Sequence, residues 1–371
     1  HSVRASVMRQ DGHTLSDLNS VLGADRYRST TALEGDDRQR LDVVNLAYEF
    51  GSPEGWIDSA VLRGFWEQAD IDQYTLDERA AARTPVSIDR LFSYDQEIRG
   101  IEMNLWKNFS GERIAHRVGI GIEYRDRRTE EFRDGLSTDL GTGSQTNVLL
   151  GEVFPLRDFP VSDTTETAAF FEDTMSVGEY WTVIAALRAD RYELSPDVDA
   201  MYLIDYPDYE TTHLDESDIS PKLGVIYSIT PGVDAYVQYS HGFRAPPYSD
   251  ANVSLELPLF RVRAVPNPDL ESESSDGFDV GLRWFGLRST ARVSVFRTNY
   301  TNFIETKVNI GVDPVSGYTQ FQSQNIEDTT IEGIEAGWKL RFGDTEQFMF
   351  DGSAFYARGD NEGTGQPVNS V

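Results

Sequence analysis

The stretch from Ile114 to Tyr124, IAHRVGIGIEY, decides the fold class of this chain. Apolar side chains share one parity there, interrupted only by His116, and charged residues or glycine share the other. The apolar positions are Ile114, Val118, Ile120, Ile122 and Tyr124, and the alternate positions are Arg113, Arg117, Gly119, Gly121 and Glu123. Because successive side chains of a β-strand point to opposite faces of its sheet, this stretch predicts a strand with one apolar and one polar face.

The same alternation recurs along the chain and predicts an all-β, antiparallel protein. It is present in residues 44–50, 101–105, 181–187, 233–239, 278–284 and 334–340. No capped helical segment separates these predicted strands, which argues against a βαβ fold. A soluble β-sandwich also alternates, with its apolar face turned inward. The alternation alone therefore does not indicate which face meets water.

Composition excludes several classes of protein. The 371 residues carry a formal net charge of −29, with 62 acidic and 33 basic side chains. Such a surface repels phosphates, so nucleic acid is not expected as a partner. The absence of cysteine excludes disulfides and thiolate metal sites. The best local apolar run, Val183 to Leu187, is far shorter than the roughly 20 residues of a membrane-spanning helix. A transmembrane β-barrel stays possible, and an aromatic content of 12% suits its aromatic girdles.

The connections between the predicted strands alternate between short and long. Short turns are expected at 51–54, 109–112, 177–179, 229–232, 285–286 and 343–346, and long polar loops at 70–90, 125–165, 195–218, 243–276 and 305–324. Short turns on one side and long loops on the other are typical of bacterial outer-membrane barrels. The pattern predicts about twelve strands. It also predicts a lipid-facing set: Val44, Leu46, Ile120, Ile122, Val233, Ala235, Val237, Leu282 and Leu340.

Two motifs resemble those of a known family. Phe243-Arg244-Ala245-Pro246 followed by Asn267-Pro268-Asp269-Leu270 is similar to the FRAP and NPDL pair of TonB-dependent outer-membrane receptors. The neighbouring segments 220–224, 277–284 and 331–335 match the same family. The resemblance is clearest from about Phe170 onward, and within the family the haem and haemoglobin receptor branch is the most similar.

The resemblance implies part of a 22-stranded transmembrane barrel whose plug domain is absent from the sequence. Residues 1–371 are then expected to be a partial barrel domain, truncated at both ends, in the bacterial outer membrane. The implied function is active transport of haem or another iron chelate, bound by extracellular loops, with no enzymatic activity. No resident cofactor is implied. The implied partners are the lipid bilayer, a TonB-type energy transducer of the inner membrane, which would bind the missing N-terminal region, and a haem-carrying protein.

Three alternatives stay open at this point. A siderophore or cobalamin receptor of the same family would share both motifs. A passive porin would share the alternation and the long loops, but has no reason to carry the two motifs. A soluble β-domain would share the alternation alone.

The candidate cargo-binding residues lie between and beside the two motifs. Haem iron takes His or Tyr as an axial ligand, and the interval from Arg244 to Asn267 contains no histidine. Its only tyrosine is Tyr248, placed directly after two prolines that restrict the backbone, which makes it the candidate ligand or stacking residue. A tyrosine at a barrel rim is also common without any ligand role.

Other candidates have both a binding and a structural interpretation. Arg244 is suited to cargo carboxylates, or to an ion pair that fixes the loop to the barrel wall. Arg261 and Arg263 suit anionic cargo, or an ion pair with Glu256. His213 lies in an acidic loop from which it could approach cargo, but the sequence favours a solvated loop histidine. The motif residues Phe243, Ala245, Pro246, Asn267, Pro268, Asp269 and Leu270 are expected to shape the loop, and His241 is expected at the outer rim. No catalytic triad, phosphate-binding loop or metal-ligand spacing is present.

Overall fold

A computed structural model describes residues 1–52, 55–80, 84–326, 328–342 and 347–367, apart from the side chain of Arg26. Its strands are β1 Ser2–Asp17, β2 Thr30–Gly51, β3 Ser59–Arg79, β4 Val86–Ser110, β5 Ile114–Asp139, β6 Gln145–Thr146, β7 Val148–Leu149, β8 Glu152–Val153, β9 Val161–Val177, β10 Trp181–Asp197, β11 Leu214–Thr230, β12 Val233–Arg244, β13 Glu256–Leu257, β14 Val262–Ala264, β15 Glu273–Phe285, β16 Ser289–Thr301, β17 Phe303–Val312, β18 Thr319–Ile326, β19 Thr329–Phe342 and β20 Phe348–Asn361. The helices are α1 Ala200–Asp205, α2 Tyr248–Ala251 and the 3-10 turns Asn19–Val21, Asp25–Tyr27 and Pro258–Phe260.

Thirteen long strands form one antiparallel sheet in which neighbours in the chain are neighbours in space. Their order is β1-β2-β3-β4-β5-β9-β10-β11-β12-β15-β16-β19-β20, and the short strand β6 joins it at β5. Within the described residues β1 and β20 pair on one side only, so the sheet is open. The predicted all-β, antiparallel class is confirmed, with one long strand more than the twelve expected. No helix in the described ranges is long and apolar enough to cross a membrane.

The predicted apolar face is continuous across the sheet. Residues paired in register lie on the same face: Ile120 lies opposite Leu105 and Phe171, and Val237 opposite Val225 and Val280. Seven of the nine residues predicted to face lipid are exposed, including Leu46 at 56% and Ile122 at 53%, while Val233 and Ala235 are half-buried. We call this the apolar face.

Exposed aromatic residues collect at the short-turn end of the apolar face. Trp181 packs on Tyr227 with ring centroids 4.6 Å apart, and Phe342 stacks on Phe348 at 5.4 Å. Phe109 and Trp284 are exposed at the same end of their strands. This is the arrangement of an aromatic girdle.

The opposite, polar face repeats a three-residue arrangement of glycine, an aromatic ring and arginine. Trp106 covers Gly119, and the Arg117 guanidinium lies 4.5 Å above the Trp106 ring. Tyr236 covers Gly281 in the same way, with Arg283 4.4 Å above its ring. A Cβ atom at either glycine would overlap the ring. Glycine is required at these two positions because the neighbouring ring occupies the place of its side chain.

Several predicted loop boundaries are wrong because the strands continue beyond the alternating segments. Residues 70–79 and 86–90, expected in a loop, belong to β3 and β4, and β5 continues to Asp139. Both faces of these extensions carry many polar side chains, so the period-two signal is weak although the backbone keeps its cross-strand hydrogen bonds. Residues 305–312 and 319–324 likewise form the hairpin of β17 and β18.

The short turns are found where they were expected within the described residues. Gly178 and Gly232 take positive φ values of 62° and 89° in two of them. Pro53, Glu54 and the turn predicted at 343–346 lie outside the described residues. Contrary to expectation, one connection contains a capped helix: Asp199 accepts a hydrogen bond from the backbone of Tyr202 at the start of α1.

Candidate cargo-binding site

The segment between β12 and β15, residues 245–272, begins within the first motif and contains the second, and we call it the motif loop. It leaves the barrel wall at Arg244, turns at Pro247, which is extended with φ −69° and ψ 157°, and begins α2 at Tyr248. Pro247 therefore directly precedes the turn in which Tyr248 lies. Tyr248 itself lies in a helical turn, and its ring points to the polar face of the sheet.

Tyr248 is held by contacts from three other segments. Its hydroxyl lies 2.7 Å from that of Tyr94 on β4. Its ring lies 5.0 Å from that of Phe159. With Tyr192 it also packs against the buried cluster of Leu194, Leu214 and Ala251.

Burial and the Tyr94 hydroxyl both raise the pKa of Tyr248 well above its usual value. A tyrosine binds iron as its phenolate, which this environment disfavours. The ring face and the neutral hydroxyl are then the parts of Tyr248 best suited to contact a ligand.

Buried hydrogen bonds fix the motif loop just after Tyr248. Asn252 and Ser254 have no exposed surface. The Asn252 side chain accepts a hydrogen bond from the backbone N–H of Thr212 at 2.6 Å and donates one to its carbonyl at 3.1 Å. The Ser254 hydroxyl lies 2.7 Å from that of the buried Tyr202. The motif loop is thereby fastened to the loop of residues 198–213.

A third loop, residues 140–160, is joined to the same assembly by charged groups. The backbone N–H of Ser254 donates to the carbonyl of Asp158 at 2.6 Å. Arg157, 6% exposed, forms ion pairs with Glu130 at 2.6 Å and Asp199 at 2.9 Å. Burial raises the pKa of Asp158, although its partner Arg133 opposes this effect.

The second motif closes the motif loop onto the β17–β18 hairpin. Asn267 donates to the backbone carbonyl of Ser323 at 2.8 Å and accepts from the N–H of Asp269 at 3.1 Å. Asn325 accepts from the N–H of Glu271 and donates to its carbonyl, both at 2.8 Å. Leu270 is 3% exposed. These contacts favour a structural role for the second motif.

Arg244 lies at the base of the motif loop between two carboxylates. Its guanidinium is 3.7 Å from Asp250 and 3.4 Å from Glu273, and half of its side chain is exposed. Burial raises the pKa of Asp250. The arrangement supports the structural interpretation of Arg244 while leaving part of the guanidinium open to a ligand.

Arg261 and Arg263 contact the turn of the β17–β18 hairpin, and Arg263 also lies opposite Glu256 in the β13–β14 pair. Arg263 forms an ion pair with Asp313 at 2.9 Å, and Arg261 donates to the carbonyl of Ser316 at 3.1 Å. Arg263 belongs to β14, which runs parallel to β18. The sequence did not indicate these partners because they lie about fifty residues away in the chain.

The two candidate histidines differ in their surroundings. His213 is exposed, between the buried residues Thr212 and Leu214. His241 lies 3.0 Å from Asp276 and 3.5 Å from Asp218, and it reaches the cavity described next. The expectation that His241 lies only at the outer rim is therefore wrong.

An open cavity of about 600 Å³ lies beneath Tyr248 on the polar face. Its upper part is aromatic, with Tyr192 beside Tyr248, and its wall is charged. The wall arginines are paired: Arg125 lies 3.2 Å from Glu166, and Arg188 lies 2.8 Å from Glu123. Tyr94, Tyr192 and Phe159 were not singled out in the sequence, because each lies far from the two motifs. In the described part of the chain no group of three or more His, Asp or Glu side chains is arranged to hold a metal ion.

Comparison with known proteins identifies the family. Residues 4–371 match the model of the TonB dependent receptor-like β-barrel, and the chain belongs to this family of bacterial outer-membrane transporters, which are not enzymes. The apolar face is accordingly the face that meets lipid.

Named relatives and a solved structure agree with this assignment. The chain is 27% identical over 354 residues to Hemoglobin-haptoglobin utilization protein B of Neisseria meningitidis serogroup C, covering 84% of this chain and 42% of that protein. It is 22% identical over 391 residues to the Ferrienterobactin receptor of Escherichia coli K12, covering 100% and 48%. The structure of the unliganded ferric citrate transporter FecA matches with a TM-score of 0.61 at 17% identity, covering 96% and 49%. The chain thus spans less than half the length of these two relatives.

Proposed function

We propose that the receptor containing this chain imports an iron chelate across the outer membrane, and that haem is its cargo. The observation that supports the proposal best is the position of Tyr248. The two family motifs bracket its loop, and its ring lies between the outer loops and the cavity of the polar face. A planar chelate that entered between the loops would meet this ring first.

Haem is favoured over other chelates by the chemistry of the site. The aromatic upper part, formed by Tyr248 and Tyr192, suits a flat apolar macrocycle. The half-exposed guanidinium of Arg244 suits a propionate carboxylate. Tyr248 would contact haem through its ring and hydroxyl. A relative named for hemoglobin-haptoglobin use supports the same cargo, and a haem-carrying protein as the source.

Energy for import is proposed to come from a TonB-type inner-membrane protein, as the family name implies. That partner would act on a part of the receptor outside this chain. The candidate site described above concerns cargo capture only.

Direct binding by the full-length receptor tests the proposal. Haem, ferric enterobactin and cobalamin would each be titrated against the purified receptor in detergent, with binding followed by tryptophan quenching. We expect saturable binding of haem and much weaker binding of the other two. Preferential binding of ferric enterobactin would replace haem with a siderophore, and a relative of that name makes it the second candidate.

A further inference from the structure

A carboxyl group on the polar face of β5, that of Glu131, is buried beneath the loop of residues 140–160. Glu131 lies seven residues beyond Tyr124, where the alternation of the apolar face stops, and is therefore about 16 Å higher on a tilted strand, outside the membrane. The residue is 1% exposed. One of its carboxyl oxygens accepts a hydrogen bond from the backbone N–H of Asp158 at 2.7 Å, and the other has no hydrogen-bond partner among the described residues. Burial of an ionised carboxylate in this state is unfavourable.

The two guanidinium groups near Glu131 are already paired with other carboxylates. Arg133 lies 2.7 Å from Asp158 and 3.0 Å from Glu152. Arg157 donates a hydrogen bond to the backbone carbonyl of Glu131 at 2.5 Å, and its two ion pairs are formed with the carboxylates named above. The other titratable groups around this cluster are acidic or phenolic: Tyr94, Glu130, Asp199, Asp205 and Tyr206. An ionised Glu131 would therefore add negative charge where carboxylates already outnumber guanidinium groups.

The surroundings of Glu131 favour its protonated form. Burial and the negative charge of Asp158 raise the pKa of Glu131 from its ordinary value of 4.5 to about 8, although the hydrogen bond from Asp158 and the two arginines oppose this effect. If the loop left the wall, the pKa would return to the ordinary value. The closed loop thus holds one more proton than the released loop between these two pKa values. Closing is most favourable below the lower pKa, weakens about tenfold per pH unit between the two, and weakens no further above the higher one.

The backbone that Glu131 holds leads directly to the cavity beneath Tyr248. Asp158 donates its N–H to Glu131, and its carbonyl accepts from the N–H of Ser254 in the motif loop at 2.6 Å. The next residue, Phe159, packs on Tyr248 with ring centroids 5.0 Å apart. Loss of the contact with Glu131 would therefore free the segment that supports the Tyr248 ring.

We propose that the loop of residues 140–160 closes onto the barrel wall by taking up one proton at Glu131, and that alkaline pH releases it. Cargo that binds the released form must restore both the loop and the proton, so the apparent affinity for cargo falls as the pH rises. The effect on cargo rests on the proposed function, whereas the closing of the loop does not.

A spin label on the loop of the full-length receptor tests the closing step. The label is attached to Val153→Cys, at an exposed position, in a receptor without other reactive cysteines. Its spectrum is recorded in detergent from pH 4.5 to one unit above the raised pKa of about 8. The variant is Glu131→Gln, which keeps an oxygen for the N–H of Asp158 and cannot ionise. The control is Asp134→Asn, which removes an exposed carboxylate from the same strand.

We expect the mobile fraction of the label to rise with pH in the unchanged receptor and in the control, and to stay low in Glu131→Gln. An immobile label in the unchanged receptor over the whole range would overturn the proposal, as would an equal rise in Glu131→Gln. If Glu131→Gln does not assemble, infrared difference spectra of the unchanged receptor replace it. They should show the loss of a protonated carboxyl band over the same range, and its absence would also overturn the proposal.

Haem affinity, titrated at the same pH values, separates this inference from the proposed function. The affinity should fall tenfold or more across the range in the unchanged receptor and much less in Glu131→Gln. An equal fall in both proteins would overturn the effect on cargo. Release of the loop at alkaline pH without haem binding at any pH would contradict the proposed function and support the closing step.

Discussion

The hydroxyl groups of Tyr94 and Tyr248 lie 2.7 Å apart, although 154 residues separate the two tyrosines in the chain. The pair joins the barrel wall to the motif loop directly above the cavity of the polar face. The hydrogen bond can also be broken by substituting Tyr94. The contribution of the Tyr248 hydroxyl can therefore be measured separately from that of the Tyr248 ring.

We expect Tyr248→Ala to lower haem affinity about tenfold, or about 1.4 kcal/mol, because the ring contact is lost. Tyr248→Phe should keep most of the affinity, since the ring remains packed on Phe159. Tyr94→Phe is the control, because it breaks the same hydrogen bond and leaves Tyr248 intact. Titration of the full-length variants gives the affinities. A loss in Tyr248→Phe as large as in Tyr248→Ala, with none in Tyr94→Phe, would instead indicate that the oxygen binds iron.

Charged side chains introduced on the apolar face are expected to destabilise the barrel. Leu46→Arg, Ile120→Arg and Val237→Arg should each destabilise the barrel by about 2–4 kcal/mol, whereas Asn45→Arg and Gln238→Arg on the polar face should cost less. The fraction of folded, heat-modifiable receptor on a gel measures the effect. Greater sensitivity at the polar-face positions would show that the two faces are exchanged.

Because this chain contains no cysteine, single cysteines introduced into it can test the topology when the rest of the receptor carries none that reacts. Ser144→Cys and Asp208→Cys lie in long loops and Glu179→Cys in a short turn, and all three positions are exposed. A membrane-impermeant maleimide added to intact cells should label the first two and leave the third unlabelled until the outer membrane is permeabilised. The reverse labelling pattern would show that the short turns face the cell surface and the long loops face the periplasm.

Removing the buried amide of Asn252 should loosen two loops together. Asn252→Ala leaves the N–H and the carbonyl of Thr212 without their side-chain partner, at a cost of about 1–3 kcal/mol for each buried group left unsatisfied. Hydrogen exchange should accelerate in both the motif loop and residues 198–213. The control Asn309→Ala, at an exposed position, should change hydrogen exchange in neither loop. If Asn252→Ala accelerates exchange in only one of the two loops, the loops are not coupled through Asn252.

We expect the substitution Gly119→Ala on the polar face to lower the stability of the protein. Gly119→Ala would place its Cβ atom inside the Trp106 ring, which is itself held beneath Arg117. Overpacking of this kind costs about 1–3 kcal/mol. Gly224→Ala is the control, because its nearest neighbour would be the Ile184 Cβ atom at an ordinary 3.8 Å. Equal unfolding midpoints for the two variants in urea would contradict the prediction.

The sequence predicted the strand class and the faces of the sheet because both follow from local periodicity. The parity of Ile120 and Ile122 was right for that reason. The extent of β3 and β4 was not predictable, since residues 70–79 have polar side chains on both faces and pair only because neighbouring strands are present. The FRAP and NPDL resemblance located the motif loop. The partners of Tyr248, Arg263 and Asn252 were not predictable, because each lies on another segment that only the fold brings near.

The fastening of the motif loop at Asn252, Ser254 and Asn267 has a kinetic consequence. A loop already ordered in the empty receptor loses little conformational entropy when cargo arrives, so the affinity is not reduced by that cost. Capture should then be limited by diffusion of the chelate into the opening, and no slow closing step should appear in stopped-flow traces. The residence time of the bound cargo would be set by its contacts around Tyr248. Faster release of the cargo would require a structural change on the side of the cavity opposite the motif loop.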